Sequence, residues 1–279
     1  MITVWVGAGW GAGGAEETTA AAIAGTTGIA SGLRGGVGVL IACGSDSVTG
    51  AGIGAAMAGM KPISEIMFFD FIGVCMDQLT NHAAKLRYMS GGQTPIPMVV
   101  RVGMVGGQPI GAQHSQSLES WLMHSPGVKI AYPSTAYDAK GLMAACIEDP
   151  DPCVFVECTM LYANKDNVPQ EYYTIPLGKA AVRREGKDVT IVTYGRYVAI
   201  SLKAADELAK EGISAEVIDL RTLRPMDTQT VVQSVMKTGR CVVVDGQREV
   251  HRAGQPAGIT PGGPRRSRHL GPLRTVVLR

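Results

Sequence analysis

The sequence predicts an α/β protein with a doubly wound, mostly parallel β-sheet, followed by a second, incomplete α/β domain. Short apolar runs rich in β-branched residues alternate with stretches of helical spacing, which is the pattern of βαβ units. The alternation begins near residue 48 and stops after residue 245. With 279 residues, of which 46% are hydrophobic and 18% charged, the chain is long and apolar enough for two packed domains.

The strands of the first domain are apolar runs bounded by glycine, proline or polar residues. They are predicted at 65–69, 97–102, 128–133 and 153–157. The helices between them have small residues or apolar residues at helical spacing, and are predicted at 50–60, 72–88 and 134–147. Pro62 ends the first helix, and Ser134 or Thr135 caps the third, with Asp138 in its first turn.

The second domain has a βαβαβ pattern that then breaks off. Its strands are predicted at 188–194, 215–219 and 241–245, and its helices at 198–210 and 227–237. Gly212 follows the first of these helices, in the position that glycine favours after a helix end. Because no partner is predicted for the strand at 241–245, we expect an exposed sheet edge and poor solubility of the chain alone.

The chain divides into five segments. These are a Gly/Ala-rich segment at 1–47, the first domain at 48–170, a linker at 171–187, the partial second domain at 188–245 and a basic irregular tail at 246–279. The tail holds seven arginines and one acidic residue. It lacks interleaved aromatic residues and any recognition motif, so we expect no nucleic-acid binding.

Composition also argues against several other classes. The longest apolar runs are shorter than the roughly 18 residues that a membrane span needs, and no secretory signal pattern is visible, so we expect no membrane contact. The six cysteines include no CxxC pair. This spacing argues against a zinc site or a disulfide framework and predicts reduced thiols in a cytoplasmic protein.

One short pattern suggests a nucleotide site. Gly50, Gly52 and Ala55 follow an apolar run, and Asp70 comes about twenty residues later, as in a dinucleotide-binding βαβ unit. An NAD-binding oxidoreductase is therefore one alternative that the sequence leaves open.

Six motifs in a fixed order resemble one protein family. They are GAAMAGMKP at 54–62, EIMFFDF at 65–71, KLRYMSGGQ at 85–93, GAQHSQSLE at 111–119, PSTAYDAKGL at 133–142 and DLRTLRPMD at 219–227. Together they resemble the beta subunit of the thiamine-diphosphate-dependent first component of 2-oxo acid dehydrogenase complexes. Pyruvate, branched-chain 2-oxo acid and acetoin dehydrogenases are its main members.

The resemblance implies a transketolase-like fold, with a pyrimidine-binding domain followed by a transketolase C-terminal-type domain. It also implies oxidative decarboxylation of a 2-oxo acid, with pyruvate as the expected substrate, and acyl transfer to a lipoyl carrier. Thiamine diphosphate would lie at the interface with an alpha subunit, which would hold the magnesium ion. The expected assembly is an alpha2-beta2 heterotetramer that docks on the lipoyl acyltransferase core.

Three residues of the matching motifs would carry the site. Met67 and Phe71 correspond to the apolar wall against the aminopyrimidine ring, and His114 corresponds to the active-site histidine. Without the resemblance, the sequence favours Met67 and Phe71 as ordinary core residues of a buried strand.

The resemblance also implies a structural potassium ion. The matching positions are the backbone carbonyls of Met98, Cys146 and Ile147, with Asp149 and Asp151. The alternative is a solvated acidic turn after a helix.

One family feature is missing from this sequence. The glutamate that activates the cofactor should stand at position 45, which is Ser45, and the adjacent Asp46 is shorter and out of register. Residues 1–47 match no family feature, and the match is lost again from Gly246. Frameshifts at both ends, or a degraded gene copy, would give this pattern, so an inactive paralogue is a further alternative.

Overall fold

The computed structural model describes residues 37–41, 46–105, 110–246 and 274–278, with side chains for 48–105 and 110–246. Ser45 and most of the predicted end segments lie outside these residues. The strands are β1 (Val37–Ile41), β2 (Lys61–Ile66), β3 (Val99–Met104), β4 (Lys129–Ala131), β5 (Cys153–Cys158), β6 (Ala181–Arg184), β7 (Val189–Thr193), β8 (Ala215–Asp219), β9 (Thr222–Arg224), β10 (Cys241–Asp245) and β11 (Arg274–Leu278).

The helices lie between these strands. The α-helices are α1 (Asp46–Met57), α2 (Ala84–Met89), α3 (Glu119–Met123), α4 (Ala136–Glu148), α5 (Tyr197–Lys210) and α6 (Thr228–Thr238). Short 3-10 helices at Phe69–Cys75 and Thr159–Leu161 and a π-helix at Gln78–Ala83 complete them. No helix in the described ranges is both long and apolar enough to cross a bilayer.

The strands form two sheets of the predicted α/β type. The first has the order β1-β2-β3-β5-β4-β9, and all its pairs are parallel except β4 with β9. The second has the order β11-β10-β7-β8-β6, with a parallel centre and an antiparallel strand at each edge. The doubly wound, mostly parallel architecture is therefore confirmed.

Helix boundaries follow local chemistry. The Thr135 hydroxyl caps α4 by accepting the Asp138 N–H at 3.1 Å, as predicted. The predicted helix at 72–88 is instead divided among 3-10, π and α segments. Within it, the Thr80 hydroxyl donates to the Met76 carbonyl at 2.7 Å and competes with the backbone for that acceptor.

One hydrophobic cluster spans the two sheets, and each sheet also packs a smaller cluster of its own. A single cluster of buried side chains contains Val102, Tyr132 and Val156 near the first sheet and Val192 and Leu223 in the second half of the chain. Since β9 also completes the edge of the first sheet, the second half of the chain is packed directly onto the first.

Three expectations about the second domain need correction. The strand predicted to be exposed, β10, lies between β7 and β11 and is not an edge. Its partner β11 comes from the predicted irregular tail, where the short apolar run 276–278 pairs with it. The predicted linker 171–187 contains β6, which forms the other edge of the sheet. Such short edge strands carry too few residues to show a period in the sequence.

An ion network joins the two halves of the chain. The Asp138 carboxylate, at the start of α4, contacts Arg183 on β6 and lies 2.8 Å from Arg221 after β8. Arg183 also contacts Asp219 at 2.8 Å. Both carboxylates are fully buried, so each depends on these arginines to offset the loss of water.

Candidate functional site

An aromatic cluster with one histidine lies just beyond the carboxyl end of β2. The His114 ring packs edge-on against Phe68 at 4.5 Å and Phe71 at 5.4 Å between ring centroids. Met67, the first residue after β2, is 52% exposed. The structure thus brings the predicted site residues Phe71 and His114 into ring contact, and the exposed Met67, directly before Phe68, is not a core residue.

Close backbone contacts fix this cluster. A Cβ at Gly103 on β3 would lie 2.7 Å from the Met67 carbonyl oxygen, so a glycine is needed where the two segments meet. The Gln116 N–H donates to Asp70 Oδ1 at 3.1 Å and ties the histidine loop to the 3-10 helix. Gly111, at the start of that loop, has a φ of +93°, which favours glycine. Asp70 thereby has a structural role in holding the histidine loop.

The glycines of the nucleotide-like pattern do not form a phosphate loop. Gly50 and Gly52 lie inside α1, whereas a dinucleotide site needs its glycines in the turn before the helix. A Cβ at Gly52 would lie 2.8 Å from Ser64 Oγ and 3.2 Å from Met98 Cε, so the small residue lets the helix approach the sheet. The NAD-binding alternative loses its geometric basis here.

A charged network on the neighbouring strands β2, β3 and β5 was not predicted from the sequence. Arg101 on β3 donates from Nε to Glu157 at 2.5 Å and from Nη1 to Glu65 at 3.0 Å. The Tyr162 hydroxyl also donates to Glu157, at 2.7 Å. Burial disfavours the charged guanidinium, but Glu157 and Glu65 outweigh it and raise the pKa of Arg101. The sequence signal for this network is the presence of charged residues inside otherwise apolar strand runs.

A second missed residue is Glu119, the first residue of α3. It is 1% exposed, and its Oε2 atom has no hydrogen-bond partner in the described structure. Burial is the main cause that raises its pKa to about 7. It stands within the histidine motif, but in the sequence an acidic residue at a helix start reads as a solvated first turn.

The acidic turn after α4 is neutralised by basic side chains. Lys129 Nζ lies 2.6 Å from Asp149 and 3.2 Å from Asp151, and Arg87 lies 2.6 Å from Asp151. Burial opposes the shift, but Arg87 and Lys129 lower the pKa of Asp151. Within the described residues, no group of three or more His, Cys, Asp or Glu side chains is arranged to hold a metal ion.

The three carbonyl groups predicted to bind potassium differ in their hydrogen bonding. The Met98 carbonyl accepts the Cys153 N–H at 3.0 Å. The Cys146 carbonyl oxygen cannot accept the usual helical hydrogen bond, because the residue four positions on is Pro150, which has no N–H. The corresponding donor for Ile147, the N–H of Asp151, instead bonds Asp149 Oδ1 at 2.9 Å.

Two remaining predictions concern Ser45 and the state of the cysteines. Ser45, where the family glutamate is expected, lies outside the described residues, directly before α1. The five cysteines within the described ranges form no disulfide.

Two family models match this chain in succession. Residues 46–165 match the transketolase pyrimidine-binding domain, and residues 178–255 match the transketolase C-terminal domain. The second match continues past Asp245, so the expectation that the resemblance ends at Gly246 is wrong.

Three relatives of this chain are named as beta subunits. The chain is 54% identical over 196 residues to the beta subunit of acetoin:2,6-dichlorophenolindophenol oxidoreductase from Cupriavidus necator, covering 70% of this chain and 58% of that protein. It is 47% identical over 213 residues to the pyruvate dehydrogenase E1 component subunit beta from Bacillus subtilis, covering 76% and 65%. It is 46% identical over 199 residues to the 2-oxoisovalerate dehydrogenase subunit beta from Bacillus subtilis, covering 71% and 61%.

These figures mean that the chain spans about three fifths of the length of the relatives it matches. A solved structure of a split gene transketolase, an inactive beta4 tetramer, matches with a TM-score of 0.62 and 24% identity, over 73% of this chain and 63% of that chain. At that identity the likeness supports the fold.

Proposed function

We propose that this chain, which belongs to the family of proteins built from transketolase-type pyrimidine-binding and C-terminal domains, is the beta subunit of a thiamine-diphosphate-dependent 2-oxo acid dehydrogenase component. The proposed reaction is oxidative decarboxylation of a 2-oxo acid, with pyruvate as substrate and acyl transfer to a lipoyl carrier. The observation that carries the proposal is the packing of His114 on Phe68 and Phe71 beside the exposed Met67.

The residues present fit the aminopyrimidine ring of the cofactor in shape and polarity. Met67 offers an exposed thioether, and Phe71 offers an aromatic face that is only partly buried. Thiamine diphosphate, when bound, supplies the stabilised carbanion of the reaction. In this proposal Met67 and Phe71 orient its ring and exclude water from one side.

His114 is proposed to handle protons next to this wall. An imidazole nitrogen can accept or donate a proton, so a ring nitrogen of His114 can hold a proton for the substrate-derived group or the lipoyl group. The aromatic contacts and the Gln116–Asp70 hydrogen bond keep the ring in one place, as positioning for proton transfer requires.

Ser45 supports a second candidate function. A serine hydroxyl hydrogen-bonds but does not carry the negative charge of a carboxylate at neutral pH, so it does not replace the expected glutamate at the cofactor ring. The alternative is therefore a chain that assembles with its partner and binds the cofactor but activates it poorly.

The proposed partner is an alpha subunit in an alpha2-beta2 heterotetramer, which would also hold the magnesium ion. Two large apolar side chains beside the site are exposed, namely those of Met67 and Val74. Exposed apolar residues of this size beside a site are typical of a subunit interface. Docking to a lipoyl acyltransferase core and a cytoplasmic location stay predictions.

A structural potassium ion is proposed on the carbonyls of Cys146 and Ile147. Both oxygens lack their helical N–H partner, because of Pro150 and the Asp151–Asp149 hydrogen bond. Carbonyl oxygens are ligands that hard cations accept. The Asp149 and Asp151 carboxylates already pair with Lys129, so their part in such a site would require that pairing to change. A higher melting temperature in potassium than in sodium chloride of equal strength would support this ion, and equal temperatures would contradict it.

The experiment for the main proposal is reconstitution with the cognate alpha subunit. Thiamine diphosphate binding is measured by calorimetry and pyruvate decarboxylation by product formation, for the wild type and for His114→Ala. We expect the variant to bind the cofactor and to lose roughly 10²- to 10⁴-fold in kcat. The exposed His124, in the variant His124→Ala, serves as the control. Equal loss in both variants, or no cofactor binding by the wild type, would contradict the proposal.

A further inference from the structure

Glu119 is an interior carboxyl group that the proposed reaction does not use. The residue is 1% exposed, and its Oε2 atom has no hydrogen-bond partner in the described structure. A carboxyl in this setting is stable as the neutral acid, because an unpaired carboxylate would lose its water without compensation. The position of this acid is therefore informative.

Glu119 is the first residue of α3, and Leu118 and Leu122 on either side of it pack in the hydrophobic cluster that spans both sheets. The titratable groups that interact with Glu119 come from four elements: Tyr132 after β4, Cys158 at the end of β5, Tyr197 at the start of α5 and Asp245 at the end of β10. Among the described residues, the positive charge of Arg196 acts on Cys158 and Tyr197. Asp245 is thus a like charge for an ionised Glu119.

The loop that carries His114 ends at the same junction. The Ser117 hydroxyl donates to the Gly246 carbonyl at 3.5 Å, directly after β10. A Cβ at Gly246 would lie 1.7 Å from the Tyr197 hydroxyl oxygen, so the chain has no spare room there. The histidine loop and the end of β10 are therefore in direct contact, with Glu119 beside them.

We infer that Glu119 is a positioning residue for the His114 loop: as the neutral acid it holds the loop against the second sheet, and loss of its proton loosens that junction. The inference rests on the proposed role of His114. An ionised Glu119 would be buried with no salt-bridge partner among the described residues, and the nearby Asp245 would repel its charge; both effects oppose tight packing.

We expect Glu119 to lose its proton, and the junction to loosen, near neutral pH. Burial raises the pKa of Glu119 from 4.5 to about 7, against a backbone hydrogen bond that lowers it, and Asp245 adds to the rise. Since the folded value is above the unfolded one, the stability due to the neutral acid is complete below pH 4.5. It declines as the pH rises towards 7 and is absent above that.

The first test compares the pH dependence of unfolding of the full chain in the wild type, Glu119→Gln and Glu207→Gln. Glutamine keeps the shape and cannot ionise, whereas Glu207 is an exposed partner of Lys210 and is the matched control. Between pH 5 and 7, the ratio of folded to unfolded wild type is expected to fall by about tenfold per pH unit relative to Glu119→Gln. Parallel curves for wild type and Glu119→Gln would overturn the inference.

The second test measures hydrogen exchange of residues 111–118 by mass spectrometry at pH 6 and pH 8, corrected for intrinsic exchange. The wild type should lose protection at pH 8, and Glu119→Gln should not; equal behaviour contradicts the inference.

If Glu119→Gln does not fold, Asp245→Asn replaces it in the unfolding test. Removing the like charge should move the stability loss to lower pH, and an unchanged position would refute the model. Neither test needs catalysis, so both give a result even if the proposed function fails.

Discussion

Loss of the Asp138 charge should destabilise the protein strongly, because this carboxylate joins the two halves of the chain. Asp138 is fully buried and contacts Arg183 and Arg221, which are 21% and 16% exposed in their side chains. Asp138→Asn keeps the shape of the side chain and removes its charge. Arg183 retains Asp219 at 2.8 Å, whereas Arg221 loses the carboxylate that it contacts.

The expected cost lies at the lower end of the range for broken buried ion pairs. Removal of one partner of a buried pair costs about 3–5 kcal/mol, and one retained contact and partial exposure place this variant near 3 kcal/mol. That corresponds to a decrease of roughly 150-fold in the ratio of folded to unfolded protein. Urea denaturation with the slope held in common between variants measures it.

Two variants make this prediction specific. Asp206→Asn breaks the contact with Arg184, in which the aspartate is 66% exposed, and should cost less than about 1 kcal/mol. Asp138→Asn combined with Arg221→Met removes the uncompensated charge and should recover part of the loss. If Asp138→Asn costs no more than Asp206→Asn, the buried network does not join the two halves as described.

The remaining predictions concern a tight contact and a helix cap. Gly127 and Gly212 both have a positive φ, but only at Gly127 would a Cβ meet another atom, the Ala84 carbonyl oxygen at 2.1 Å. Gly212→Ala should therefore cost about 1 kcal/mol and Gly127→Ala about 3 kcal/mol in urea denaturation, and equal costs would contradict the contact. Asp227 caps α6 through the Thr230 N–H at 3.1 Å, so Asp227→Ala should cost about 1–2 kcal/mol at pH 7. Burial opposes the shift, but hydrogen bonds from Thr230 and Ala180 lower the folded pKa of Asp227 below 3.8. The stability that this cap contributes should therefore disappear as the pH falls through that folded pKa. A cost of Asp227→Ala that stays unchanged in acid would contradict the prediction.

Much of the fold could be predicted from the sequence because its strands are strongly apolar. The buried parallel strands β3, β5 and β7 were found from continuous β-branched and apolar runs, and the cap at Thr135 from its residue type. The edge strand β6 was missed because its four residues, none of them buried, are too few to show a period. The neighbour of β10 was missed because its pairing spans about thirty residues of chain, and no local rule predicts such a partner.

The candidate site shows the same division. Met67, Phe71 and His114 were predicted from motif positions; the structure places Phe71 and His114 in ring contact and leaves Met67 exposed next to Phe68. Arg101 and Glu119 were not predicted, because the identity of a charged residue does not show whether the fold will bury it. Their burial depends on contacts with distant segments, such as Glu157 and Asp245, which only the tertiary structure reveals.

The central claim is that this is a thiamine-dependent beta subunit in which position 45 lacks the activating carboxylate. The most direct test compares pyruvate decarboxylation by the wild type and by Ser45→Glu, each assembled with the cognate alpha subunit and saturated with thiamine diphosphate. We expect both complexes to bind the cofactor and Ser45→Glu to raise kcat by at least about 100-fold, the size of a well-placed proton-transfer group. A folded, cofactor-bound complex in which Ser45→Glu gives no gain would contradict the claim.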